Sequence, residues 1–195
     1  MVRFSKIPDL CTFGKGMANG FSVAALAGKR EIMNLGGILD ESKERVFLIS
    51  TTHGAEMSGL GAFVQTIEEY KKLHVILHLW DYGRKLVQGM NAIAKDLGIE
   101  KAFMVEGYPC SPAYVTRDAT GSPSLPFRTL FSQEMIKQGI LMPWIALSYS
   151  HSETELQKTL EATQKALRVY KNALQAGWKK YLTGRPIKPV FRKEN

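Results

Sequence analysis

Several scarcities in this sequence narrow the field first. Two cysteines, Cys11 and Cys110, stand in 195 residues. They give no disulfide framework and no metal-ligand spacing, so a reducing cytoplasm is the expected setting, and both read as small buried hydrophobes. No apolar run approaches the roughly 18 residues that span a bilayer. The segment Met1 to Lys6 lacks the long apolar stretch of a signal peptide, so the expectation is a soluble, unexported chain. Internal repeats and low-complexity segments are absent too. The net charge is +8, but no zinc finger, arginine-rich block or alternating aromatic-basic pattern goes with it, so it is not read as a nucleic-acid footprint. The basic residues are spread along the chain, densest from Arg185 to Lys193, where Pro186 and Pro189 interrupt them.

What is present is ordinary globular composition, 45% hydrophobic and 23% charged, enough for a sizeable core. Leu10 to Phe13, Val23 to Ala27 and Val46 to Ser50 are short, near-continuous apolar runs. Such runs suit strands buried on both faces of a largely parallel sheet. From about Glu56 the period becomes helical, with Leu60, Phe63, Val64 and Ile67 on one face. A second helix runs past Leu86, Met90 and Ile93 to a stop at Gly98. Strand-like segments follow at Ala102 to Glu106 and Ala113 to Thr116, then a loop over Asp118 to Pro126. A helix over Phe127 to Gln138 closes at Gly139, and Ile140 to Met142 and Ile145 to Tyr149 again read as strands.

The last helix is the clearest element. Ser152 and Glu155 form a capping box, Leu156, Leu160, Thr163, Leu167, Tyr170 and Leu174 make its stripe, and Gly177 ends it. The fold class is therefore α/β, with residues 1–72 as one domain that includes a bridging helix and 73–195 as a C-terminal α+β domain. Nothing in the first fifty residues supplies helical layers for the N-terminal strands, so the chain reads as the C-terminal part of a larger protein.

The chemistry centres on Gly14-Lys15-Gly16. An amine held at a strand end, with no side chains crowding it, can attack a carbonyl, which is how a Schiff-base lysine is presented. A phosphate loop fails, because Asp9 stands where its first glycine belongs and Gly16 where Ser or Thr should follow the lysine. A dinucleotide fingerprint fails at Asn19, where its third glycine belongs. A plain surface-turn lysine is the other local reading. His74 and His78 have zinc-helix spacing, but Val75 replaces the catalytic Glu and no third ligand is in view. They read as a helix-end pair. His53 is placed beside a Thr51-Thr52 turn, and His151 beside the Ser152 cap.

The stretch Pro8 to Phe21 resembles the cofactor-lysine segment of class III pyridoxal-phosphate aminotransferases, in particular the glutamate-1-semialdehyde aminomutase branch. Leu26 to Met33, Ser50 to Glu56 (with Ala55 for the second glycine of a Ser-x-Thr-x-Gly-Gly-Glu turn), Thr129 to Leu141 and Leu147 to His151 resemble later segments of that family, in order.

The resemblance implies the C-terminal part of a fold-type I enzyme, the end of the large-domain sheet plus the small domain, acting in amino-group transfer. Lys15 would form the Schiff base with pyridoxal 5'-phosphate and then shuttle a proton, from a desolvated setting that keeps it neutral part of the time. Thr52, or Thr51, would donate to the cofactor phosphate across a homodimer interface. A helix N-cap is the structural reading of the same pair. The carboxylate facing the pyridine nitrogen, the ring-stacking aromatic and the first phosphate turn lie before the lysine in that family, which implies a separate or preceding N-terminal half. Pro143-Trp144 fills the neighbourhood of the family's small-domain arginine, a departure that favours an unusual amine over an ordinary amino acid. A non-catalytic interaction module is the expectation from another class.

Overall fold

A computed structural model describes residues 7–36, 56–189 and Phe191. The chain divides into two compact units, Met1–His74 and Val75–Asn195.

In the first unit, β1 (Leu10–Phe13) pairs with β2 (Ala25–Gly28). The register runs from Leu10 opposite Gly28 to Phe13 opposite Ala25, and the pairing is antiparallel. An ion pair between Lys29 and Asp9, 2.5 Å apart, closes the open end. The turn between the strands contains a 3-10 segment, Lys15–Met17. A short helix, α1 (Arg30–Met33), follows β2, and α2 (Met57–Lys72) is the unit's long helix.

The expectation of strands buried in a parallel sheet is corrected on both counts. The two described strands are antiparallel, and all their side chains except half-buried Cys11 are exposed. Apolar runs report what a strand needs around it. Among the described residues no layer covers either face of this hairpin, and a lone two-stranded ribbon is marginal in water. The third predicted strand, Val46 to Ser50, lies outside the described residues.

The second unit closes on itself. Its helices are α3 (Val75–Asp96), α4 (Leu125–Lys137) and α5 (Glu153–Ala176). Strands β3 (Phe103–Tyr108) and β4 (Ser111–Thr116) form an antiparallel hairpin turning at Pro109-Cys110. Phe103, Phe131, Met90, Leu130, Leu167 and Tyr170 are wholly buried where helices and hairpin meet. The Phe103 and Phe131 rings lie 4.7 Å apart, centroid to centroid. Asn91 clips α3 to β3, donating to the Val105 carbonyl at 2.8 Å and accepting from its amide at 2.7 Å. Gly83 lets the hairpin turn approach α3, since a Cβ there would overlap the Pro109 carbonyl.

The helix ends follow the sequence signals. Ser152 and Glu155 make the full capping box, with the Ser152 amide donating to the Glu155 carboxylate at 2.8 Å. Gly98, Gly139 and Gly177 all take positive φ, the left-handed geometry that ends a helix cheaply only at glycine. On α5, Leu156, Thr163, Leu167 and Tyr170 are buried, but Leu160 and Leu174 are only half-buried. The alanines 162, 166 and 173 complete the face instead.

Two further expectations fail. Ile140 to Met142 and Ile145 to Tyr149 form no ladder, although Met142 and Ile145 are buried. Pro143 has no N–H for a ladder. Its carbonyl accepts from the Tyr114 hydroxyl and from Arg128, both at 2.9 Å, so side chains satisfy this segment rather than a neighbouring strand. Cys11 and Cys110 are half-exposed free thiols, not fully buried ones.

Candidate active site

The Lys15 turn is built by a conflict between conformation and residue type. Lys15 has φ +46° and Asn19 φ +44°, left-handed values that non-glycine residues adopt uncommonly. Within the turn, the Met17 amide donates to the Gly14 carbonyl at 3.2 Å and the Asn19 amide to the Lys15 carbonyl at 3.3 Å. The glycines on either side carry no side chain and have room about their own backbone. A Cβ at Gly14 would meet nothing nearer than the Val23 carbonyl at 3.8 Å, and one at Gly16 would meet the Tyr70 hydroxyl at 3.5 Å. Lys15 itself is exposed, so in this chain alone its surroundings do not provide the desolvated setting that a proton shuttle calls for.

Helix α2 runs against this turn at two places. The Tyr70 hydroxyl donates to the Gly16 carbonyl at 2.9 Å. At the other end of the helix, a Cβ on Gly59 would come within 2.7 Å of the Ser22 carbonyl, so the helix backbone sits directly on the chain there. Ala18, between those contacts, is buried to 3% exposure, the one hydrophobic residue of this unit among those described to be so enclosed. Sequence reading missed Tyr70. Its signal was there, three residues beyond Ile67 on the stripe that Leu60, Phe63 and Val64 begin.

Thr51, Thr52 and His53 lie outside the described residues. His74 takes φ +50° just before α3 begins, whereas His78 lies within that helix, so the two do not share a helix. No group of metal-ligating side chains occurs among the described residues. His151, beside the Ser152 cap, bonds to the turn that precedes α5. Its Nδ1 accepts from the Ser148 amide at 3.3 Å, and its ring lies 5.5 Å from that of Tyr82.

The second unit has a cleft of about 380 Å³, its walls including Tyr82, Leu86, Leu141, Trp144, His151 and Lys158. Burial, then the Glu155 and Glu153 charges, push the Tyr82 phenol up from its ordinary pKa. Trp144 is 68% exposed. Arg128 is near Pro143-Trp144 in space, but its guanidinium lies over the Tyr114 ring, 4.4 Å from the centroid, and donates to the Tyr114 and Pro143 carbonyls. Those bonds commit it to holding the segment.

Comparison with known proteins places this architecture. No family model matches the chain. The 3-aminobutyryl-CoA aminotransferase of Cloacimonas acidaminovorans is 31% identical over 176 residues, 88% of this chain and 40% of that enzyme. A glutamate-1-semialdehyde 2,1-aminomutase of Thermus thermophilus is 31% identical over 178 residues, 82% of this chain and 39% of the enzyme. The chain is homologous to class III aminotransferases over about the C-terminal 40% of their length.

Solved structures agree on the fold. An omega-transaminase from Sphaerobacter thermophilus matches 84% of this chain and 39% of its own, with TM-score 0.71 and 19% identity. The PLP internal aldimine form of the Sphingopyxis sp. MTA144 FumI protein matches 87% and 38%, with TM-score 0.69 and 21% identity. The chain thus spans about two fifths of the length of the proteins it matches. It has a mixed α/β fold in common with that part of pyridoxal-phosphate transaminases. No described helix is long and apolar enough to cross a membrane.

Proposed function

We propose that Lys15 is the attachment point for pyridoxal 5'-phosphate, and that this chain supplies the lysine turn and C-terminal unit of an enzyme moving an amino group from an amine donor to a carbonyl acceptor. The observation that carries this reading is the exposed Lys15 amine on a glycine-flanked turn, in a chain homologous to class III aminotransferases.

The residues present fit the attachment. A reacting carbonyl needs an amine it can reach, and Lys15 is exposed between two residues that carry no side chain. The bound cofactor would supply an electron sink for charge at the amine-bearing carbon. Lys15 would hold the cofactor and, once released, move a proton at that carbon. To do so it must be neutral part of the time, which requires the turn to be enclosed. Thr52, or Thr51, is proposed to donate its hydroxyl to the cofactor phosphate from a second copy of the chain in a homodimer.

Exposed Leu10, Phe13 and Leu26 on the hairpin support a further part of the reading, that polypeptide equivalent to the rest of the relatives' length packs on these strands and completes the pocket. Intramolecular amino transfer is the second reading, favoured by the aminomutases among the relatives.

The test is to incubate the chain with pyridoxal phosphate, trap with borohydride and map the label. Label is expected to concentrate on Lys15 and to vanish from that peptide in Lys15→Ala. An even spread over exposed lysines would sink the cofactor reading and favour a non-catalytic interaction module. If the chain is active with its complement, the product balance decides between the two transfers. Transaminase chemistry consumes an amine donor and a carbonyl acceptor in equal amounts, whereas aminomutase chemistry turns one amino-carbonyl compound into its isomer with no second substrate.

A further inference from the structure

We infer that Tyr70 is a positioning residue for Lys15. Through its hydrogen bond to the Gly16 carbonyl, helix α2 holds the lysine's backbone in the left-handed conformation that aims the amine. The inference rests on the reading of Lys15 as the cofactor lysine and adds the group that sets its geometry.

Three observations converge on it. First, a lysine at φ +46° is in a region where an L side chain crowds its own backbone, and such a residue persists only where its surroundings over-determine it. Two of the hydrogen bonds inside the turn, at 3.2 and 3.3 Å, are at the long end of the range, and the Ala18 amide adds a third to the Lys15 carbonyl. All of them act within the turn, and none ties it to another element. Second, the Tyr70 bond is shorter, 2.9 Å, and joins residues 54 apart in sequence. It acts on the carbonyl of the residue that follows Lys15, fixing the peptide plane next but one to the lysine's own ψ. Third, the contact of Gly59 with the Ser22 carbonyl registers the far end of the turn against the same helix. Two fixed points on one rigid rod define the path of the chain between them, and Lys15 lies just outside the first.

A loose lysine would sample many directions, and an amine must reach a carbonyl within a narrow cone to react; orientation of this kind is what catalytic groups gain from a rigid support. Tyrosine suits the task because its hydroxyl stands at the end of a rigid ring with only two side-chain torsions to fix. Phenylalanine keeps the ring and loses the donor, so the substitution isolates the bond.

The experiment uses the 195-residue chain as wild type, Tyr70→Phe and Gly59→Ala, with Tyr149→Phe in the second unit as a control. Glycine labelled at the carbonyl carbon and methionine labelled at nitrogen single out the Gly-Met pairs Gly16-Met17 and Gly89-Met90. Each chain is also treated with pyridoxal phosphate and borohydride, and the share of label on Lys15 is compared with that on Lys29. In Tyr70→Phe the Gly16 carbonyl resonance is expected to shift while that of Gly89 stays, and the Lys15 share to fall at least about threefold. Gly59→Ala is expected to lower it in the same direction by less, and Tyr149→Phe to leave both readouts unchanged. A Lys15 share that survives Tyr70→Phe overturns the positioning role, whatever the carbonyl does. Equal labelling of Lys15 and Lys29 in the wild-type chain overturns the cofactor reading beneath it instead.

Discussion

The two units of this chain treat similar residues in opposite ways. Phe131 and Phe103 in the second unit are sealed completely, whereas Phe13 and Phe21 in the first are 51% and 55% exposed. Tyr170 is enclosed, its hydroxyl donating to the Arg117 carbonyl at 2.6 Å and accepting from the Arg117 amide at 3.0 Å. Tyr70 makes one bond to a turn near the surface. The second unit has three long helices and a hairpin, enough to surround a core. The described part of the first has one long helix and a hairpin, enough to present a lysine but not to cover strands. Folding and site construction are therefore divided along the chain. Among the described residues, nearly all of the enclosed apolar core lies after His74, and the candidate cofactor lysine before it.

Paired substitutions put this division at risk. Phe131→Ala is expected to destabilise the second unit by about 3–5 kcal/mol through a buried cavity, and Phe13→Ala to stay within about 0.5 kcal/mol in this chain. Guanidinium unfolding checks both, and comparable losses would end the distinction. Gly83→Ala drives a methyl group into the Pro109 carbonyl and should cost about 1–3 kcal/mol. Gly61→Ala on α2 meets nothing within 4 Å and should stabilise that helix by up to about 1 kcal/mol, read as a rise in the thermal midpoint.

Tyr170→Phe leaves the Arg117 backbone short of a partner and should cost about 1–3 kcal/mol at neutral pH. Burial raises the Tyr170 phenol well above its ordinary value. The native state therefore keeps a proton that the unfolded chain releases above pH ~10. Tyr170's contribution is fully present below that point and is lost as pH rises toward the folded value. Wild-type stability should accordingly fall more steeply than that of Tyr170→Phe in alkaline unfolding titrations. A smaller effect than that of Phe131→Ala is expected at the α5 cap. Ser152→Ala should cost about 1 kcal/mol. The Ser152 side chain, then its amide, hold the Glu155 carboxyl below its usual pKa. That stabilisation is present above the unfolded carboxylate value and is lost as pH falls, so the variant should show a shallower acid limb.

Local signals were legible wherever a short stretch decides its own conformation. The capping box at Ser152 and Glu155 and the stops at Gly98, Gly139 and Gly177 are written in nearby residues, and the structure follows them. Lys15 was legible as a glycine-flanked lysine. Its left-handed backbone and its tie to Tyr70 were not, because the tie joins positions 54 residues apart. The strands expected at Ile140 to Met142 and Ile145 to Tyr149 failed for the same kind of reason. Apolar residues there say that the segment is buried, and only the positions of Tyr114 and Arg128 say what satisfies its carbonyls.

The order of residues was enough to place α2, α3, α4 and α5 and to stop the last three at glycines, though it left Leu125 and Pro126 in a loop where α4 has already begun. It also showed which lysine stands between glycines, and that the chain is like class III aminotransferases. Only the folded chain established that β1 and β2 pair antiparallel and exposed, that alanines rather than Leu160 and Leu174 complete the α5 face, and that α2 grips the Lys15 turn at Tyr70 and Gly59. The cause is range. Caps, turns and periodicity act within about a turn of chain, but burial and the partners of a strained carbonyl depend on groups that only folding brings together.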